Sequence, residues 1–131
     1  MTHNWAMQVA VVPKLVAVSV RRDALSHELV SEGRAFSLSF LRREDRAVAR
    51  SFTKPAQPGP APDMLGGQQV QLGLTGVPVL RAAAAWLECE VRTTTAAGDH
   101  TIFVGEVVAC GAPDEEAALL RMEDTRLNYG G

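Results

Sequence analysis

The sequence predicts a small, mainly antiparallel β domain, curled into a barrel and carrying two short helices. Three observations carry that expectation. Ala35–Phe40 alternates cleanly, with Phe36, Leu38 and Phe40 on one face and Ser37 and Ser39 on the other, the period-two spacing of a half-buried strand. Ala85–Thr94 repeats the pattern, and Thr95–Asp99 turns it back into a strand over His100–Cys110, so the two are expected to pair as an antiparallel hairpin. Glycine and proline clusters cut the rest into pieces too short for long helices. At 131 residues the chain is long enough to bury a core without metals or cross-links, and it is expected to form a single domain, 1–131.

Taken in order, the first nine residues mix polar and aromatic side chains around a short strand. Pro13 interrupts, and Leu15–Val20 reads as a buried strand ended by Arg21, Arg22 and Asp23. Ser26 is the expected N-cap of a helix over His27–Glu32, closed by Gly33. Arg42–Phe52 is a charged helical segment with Leu41, Ala47, Val48 and Phe52 as its inward stripe. Thr53–Pro78 reads as one long loop, since four prolines and three glycines interrupt its middle. In Ala85–Thr94, Ala85, Leu87, Cys89 and Val91 should face inward and Glu88, Glu90 and Arg92 outward. In the last strand Thr101, Phe103, Gly105 and Val107 share one face, and Ile102, Val104 and Glu106 the other. A glycine within a strand marks a bulge or the close approach of another group, so Gly105 is expected to do one of these.

Composition narrows the function classes. A formal net charge of −2 carries no basic footprint for nucleic acid. The longest apolar run, Val9–Val20, is broken by Pro13 and Lys14, too early for a membrane span, and no secretory leader pattern opens the chain. Cys89 and Cys110 match no metal or redox spacing and read as reduced, small, buried side chains. A cytoplasmic protein is the expectation.

Few residues suggest chemistry by themselves. A strand end bearing Arg21 and Arg22, followed by a Ser26-capped helix, would gather two guanidinium groups, a hydroxyl and free amides, a seat for an anion. An ordinary capped helix with solvated arginines accounts for the same residues. His3, His27 and His100 have no ligand spacing, so no metal site is expected. No Gly-x-Ser-x-Gly elbow and no phosphate-loop Gly-Lys-Ser/Thr is present. Trp86 and Tyr129 read as packing residues, although a terminal tyrosine can lie over a planar ligand.

Several runs together resemble the flavin reductase-like, FMN-binding split-barrel family. They are Met-Thr-His-Asn-Trp at 1–5, Pro13 with Leu-Val-Ala-Val-Ser-Val at 15–20, Ser-His-Glu-Leu-Val at 26–30, Phe36–Leu41 with Asp45–Phe52, Thr-Gly-Val-Pro-Val-Leu at 75–80 and Ala-Trp-Leu-Glu-Cys at 85–89. The most specific is Gly-Asp-His-Thr-Ile-Phe-Val-Gly-Glu-Val at 98–107. The resemblance implies a split β-barrel of Greek-key topology that forms a homodimer with FMN, or alternatively FAD, near the subunit interface. It places Thr2, His3, Asn4 and Trp5 along the isoalloxazine ring, and Ser19, Val20, Arg21, Ser26 and His27 at the ribityl and phosphate. His100 becomes the catalytic-site residue that meets NAD(P)H.

Family members carry about one more strand before the Met-Thr segment. The barrel implied here therefore either lacks its first strand, exposing an edge for a partner chain to cover, or starts from a codon assigned too late. The proline-rich loop 54–69 also lacks a lysine–phenylalanine pair common in relatives. The implied activity is hydride transfer from NAD(P)H to flavin, with a partner monooxygenase using the product. The alternatives are a non-catalytic flavin-binding or electron-carrier module, or a degenerate barrel without flavin.

Overall fold

A computed structural model describes residues 1–127. Eight strands and three short helices follow one another as β1 (Ala6–Ala10), β2 (Leu15–Arg21), α1 (Leu25–Gly33), β3 (Ala35–Phe40), α2 (Arg46–Ser51), β4 (Met64–Leu65), β5 (Gln68–Leu72), β6 (Pro78–Leu80), β7 (Ala85–Ala97), β8 (His100–Gly111) and α3 (Met122–Thr125). The main sheet has the order β1-β2-β8-β7-β3, and every pairing is antiparallel. From β2 the chain crosses through α1 to the far edge at β3, and the β7–β8 hairpin later fills the space between. That path is the Greek key the split barrel requires.

Alternation decides the inner face. Val16, Val18 and Val20 of β2, Phe36 of β3, Cys89 and Val91 of β7 and Phe103 of β8 form one buried cluster, with Val30 of α1 packed against it. Gly105 sits where the sheet needs no side chain. A Cβ there would lie 2.7 Å from the Phe36 ring and 2.8 Å from Cys89 Cβ. The strand register also shifts beside it, between Val91 and Thr93, so the glycine marks both a close approach and a bulge.

Several expectations need correction. Ser26 does not cap α1: the helix begins at Leu25, Ala24 is the N-cap, and no side chain bonds the first turn. Gly33 is the last helical residue and Arg34 takes the left-handed conformation (φ 53°). Its carbonyl accepts from the Val91 amide at 2.9 Å and its Nη2 donates to the Val91 carbonyl at 3.3 Å, which ties the turn directly to β7. The second helix is shorter than 42–52, and its buried residue is Ala49, while Ala47 is exposed. Cys110 is exposed rather than buried.

The largest correction concerns the segment 53–78, which is not one loop. It holds β4, β5 and most of the β5–β6 connection, and with β6 these form a second sheet of order β4-β5-β6. The small sheet covers the polar face of β3 and β7. Ser37 Oγ donates to the Pro78 carbonyl at 2.7 Å, and the Leu80 amide donates to Ser39 Oγ at 3.2 Å. Glu88, expected to face solvent, is 1% exposed under this layer. Its carboxylate accepts from the Leu74 amide, the Thr75 amide and the Thr75 hydroxyl at 3.1, 3.1 and 2.8 Å, with Gly73 leaving room for it. Desolvation alone would raise the carboxyl pKa, but the Thr75 hydroxyl and the two amides outweigh it and hold the pKa below its ordinary value.

These contacts carry two expectations for stability. Gly105→Ala should lower stability by about 1–3 kcal/mol, the range for overpacking, read as a reduced thermal midpoint. Glu88 has a folded pKa below its unfolded one, so its contribution is complete above the ordinary glutamate value of about 4.3 and is lost as pH falls through the folded value. Glu88→Gln should therefore cost about 2 kcal/mol at neutral pH and flatten the acid limb of a plot of thermal midpoint against pH. An acid limb as steep in the variant as in the wild type would contradict this assignment.

Candidate functional site

The outer face of the main sheet, at its β1–β2–β8 end, carries an apolar groove of about 520 Å³ lined chiefly by Trp5, Met7, Val9, Ser19, Ile102 and Val104. Strand geometry puts them there. Side chains alternate, so the residues between the core positions Val16, Val18 and Val20 and flanking Phe103 must point outward. Trp5 joins them because its carbonyl accepts from the Ser19 amide at 3.1 Å, extending the β1–β2 pairing. Met7 is 64% exposed and Val9 45%, an unusual amount of apolar surface for strand residues.

At one end of the groove lies a cluster of rings. His100 opens β8 directly opposite Arg21 of β2. Its ring centroid is 5.2 Å from that of Trp5, at an interplanar angle of 38°. Its Nδ1 lies 2.7 Å from Asp99 Oδ1. His3 Nε2 lies 2.8 Å from the Trp5 carbonyl, which can only accept, so Nε2 bears the proton. Burial lowers the His3 pKa, assisted by the nearby N-terminal ammonium and His100, and the ring is neutral at pH 7. Its Nδ1 is then a lone-pair acceptor, and it is buried with no hydrogen-bond partner among the described residues. Such an atom suits an N–H donor from a ligand.

The other sequence-predicted residues divide. Thr2 is committed to α2: its amide donates to the Phe52 carbonyl at 2.9 Å and its hydroxyl to the Ala49 carbonyl. Asn4 is exposed next to Trp5. Val20 is 3% exposed in the core, so only its backbone can reach a ligand. Arg21 is exposed and paired with Asp23 at 2.5 Å. Ser26 lies within the first turn of α1, whose start lacks any side-chain cap.

His27 lies on the opposite face of β8 from His100. Its Nε2 is 2.8 Å from Thr101 Oγ1, and its ring meets Phe103 edge-on at 5.3 Å. There it lines a separate polar cleft of about 290 Å³ with Ser31, Arg34, Thr94 and Thr101. The tertiary structure thus brings His3, Trp5, Ser19, Arg21 and His100 to one face and leaves His27 on the other. Among the described residues no three histidine, cysteine or acidic side chains gather as a metal site. Tyr129 lies outside the described residues.

Sequence reasoning did not single out Asp99 or the groove-lining Met7, Val9, Ile102 and Val104. A signal for the groove was present. In β8 both alternating sets, Phe103 with Val107 and Ile102 with Val104, are apolar, which is the mark of a strand covered on both sides.

The residues present fit a flavin. The groove's apolar lining and volume of about 520 Å³ suit a planar aromatic system, the orphaned His3 acceptor suits an imide N–H, and the uncapped start of α1 following Arg21 suits an anion. Comparison with known proteins points the same way. The model of a flavin reductase like domain matches residues 1–129. The chain is 36% identical over 120 residues to the NADH-dependent flavin reductase StyB of Pseudomonas fluorescens, covering 89% of this chain and 65% of that protein. Among solved structures, the NADH:FAD oxidoreductase SgcE6 of Streptomyces globisporus, in complex with NAD and FAD fragments, superposes with a TM-score of 0.78 at 30% identity, over 100% of this chain and 76% of that one. The styrene monooxygenase flavin reductase of Pseudomonas putida S12 gives 0.76 at 32% identity, over 91% of this chain and 72% of that one. The chain therefore spans slightly under two thirds of the length of its curated relative StyB. A match over residues 1–129 and the shared split barrel together establish that the chain belongs to the flavin reductase-like family.

Proposed function

We propose that this chain is an NAD(P)H-dependent flavin reductase. The observation that carries the reading is the His3–Trp5–His100 cluster at the end of an apolar groove, with a buried histidine acceptor left for a ligand to satisfy. Bound flavin supplies the hydride acceptor, while the protein binds, orients and excludes water. Thr2, held against α2, anchors the segment carrying His3, Asn4 and Trp5, whose polar atoms would hold the ring's edge. Ser19 and the backbone of Val20 line the approach to Arg21 and the start of α1, the seat for ribityl and phosphate. Ser26 would contribute from the first turn of that helix. His27 would have to act from the far side of β8, across the strand from the groove. His100 faces the nicotinamide nucleotide.

FMN is the proposed flavin and FAD the alternative, the latter supported by the FAD-fragment complex of SgcE6. NADH is favoured over NADPH by the likeness to StyB, an NADH-dependent reductase. A partner monooxygenase would consume the reduced flavin, a role supported by the likeness to the Pseudomonas putida S12 protein, which is the flavin reductase of a styrene monooxygenase. No helix among the described residues is long and apolar enough to cross a membrane, and the cytoplasm is the proposed setting. A second copy of the chain would close over the rim of the groove at the exposed Met7 and Val9, so that the flavin would lie between the two subunits of a homodimer.

Purified protein should oxidise NADH in a reaction stimulated by added FMN or FAD. His100→Ala should raise the KM for the nicotinamide about tenfold, more than it weakens flavin affinity measured by fluorescence quenching. Tight flavin binding without NADH turnover would instead support the electron-carrier alternative, and no flavin affinity would support the degenerate barrel. Met7→Asp, placing a charge in the covered face, should convert the dimer to a monomer in sedimentation. An unchanged mass, or a monomeric wild type, would rule out this interface.

A further inference from the structure

A helix lying on a sheet ordinarily turns its apolar stripe inward and its polar residues to solvent. Helix α1 does nearly the reverse. Val30 is its residue packed on the core, but His27 and Ser31, one turn to either side, line the polar cleft instead. Arg34, which ends the helix, continues that row into the cleft. Leu25 and Leu29, spaced i and i+4, are left 51% and 60% exposed. A polar row turned towards a cavity of about 290 Å³ does nothing for the core and suits a ligand.

The β7–β8 hairpin supplies the facing wall. After the register shift between Val91 and Thr93, Thr94 stands opposite Phe103 and Ala96 opposite Thr101. Directly opposed residues share a face, so the bulge re-aims Thr94 and Ala96 to the side of β8 that carries Phe103 and Thr101. Strand β3 pairs with β7 only as far as Ala35↔Glu90, and this part of the hairpin runs on beyond it.

Charge decides the class of ligand. Arg34 is the one permanent cation lining the cleft, and no carboxylate lines it. None of the ion pairs among the described residues involves Arg34. Its Nη2 donates to the Val91 carbonyl at 3.3 Å, which holds the guanidinium in place while other N–H groups of its fork remain to donate. We propose that this cleft binds a small organic monocarboxylate, at a site separate from the groove on the other face of β8. The Arg34 fork matches the two oxygens of a carboxylate, and the Ser31 and Thr94 hydroxyls can add donors. Ala96 and Phe103 offer the organic body an apolar wall. One cation balances one negative charge, whereas a phosphate monoester carries about two near neutral pH and would leave one unmatched.

The test titrates benzoate into the full chain and follows backbone amides in ¹H–¹⁵N spectra. The signals of Ser31, Thr94 and Thr101 should shift and saturate. Benzamide, of the same shape without the charge, should bind about tenfold more weakly, the effect of a charged hydrogen bond, and so should inorganic phosphate. Arg34→Gln should weaken benzoate by a similar factor. Because Arg34 also ties α1 to β7, Thr94→Val serves as a second variant that keeps the side chain's shape, and it should weaken benzoate about threefold or more. Saturating FMN should leave the benzoate titration unchanged.

The proposal is overturned by the absence of a saturable shift at these amides, by benzamide or phosphate binding as tightly as benzoate, or by full benzoate affinity in a folded Arg34→Gln or Thr94→Val protein. Displacement of benzoate by FMN would make the cleft part of the flavin site and refute a separate one. None of these results depends on reductase activity.

Discussion

The register of β8 is the constraint on which the rest depends. Its residues pair with β2 on one side and β7 on the other, from Arg21↔His100 to Leu15↔Glu106 and from Ala97↔His100 outward. A slip of one residue would send Phe103 out of the core and His100 into it, because neighbouring side chains alternate faces. Two local features prevent the slip. The two-residue turn at Gly98-Asp99 sets the starting pair, and Gly105 accepts the Phe36 ring at a point where no other residue fits. The packing requirement of the core thus places the site's histidine.

A second layer shows how a polar strand face can be structural. Ser37, Ser39 and Glu88 alternate with core residues and look solvated, yet all three bond the small β4-β5-β6 sheet or its β5–β6 turn. Burial of the Glu88 carboxylate is tolerable because three donors converge on it. The bonds also explain how so proline-rich a segment is held in place. Its order comes from the sheet beneath it rather than from its own propensities.

The site itself is assembled from strand ends and a short N-terminal segment. His3 and Trp5 precede β1, Ser19 and Arg21 close β2, and Asp99 and His100 join β7 to β8. Placing polar groups at strand ends keeps them out of the core while the sheet holds them rigid. Arg34 shows the same economy elsewhere: one left-handed residue turns α1 into β3 and bonds β7 through its carbonyl and its guanidinium.

Much of the barrel was legible in the residues. Alternation in Ala35–Phe40 and in the two hairpin strands determined which side chains face the core, since a period of two fixes the face once one member is buried. Gly98-Asp99 marked the turn, because glycine takes a left-handed conformation at no steric cost, and Gly105 the close approach, because a Cβ there would meet Phe36 and Cys89. The runs 1–5 and 98–107 marked the family and the neighbourhood of the site. What the tertiary structure alone decided was which polar groups are covered and which share a face. Glu88 became buried because a distant hairpin lies over it, His27 parted from His100 because α1 packs on the inner side of β8, and Asp99 met the His100 ring through the shape of a turn. Those outcomes depend on contacts between segments far apart in the chain or on backbone dihedrals, and local sequence pattern encodes neither.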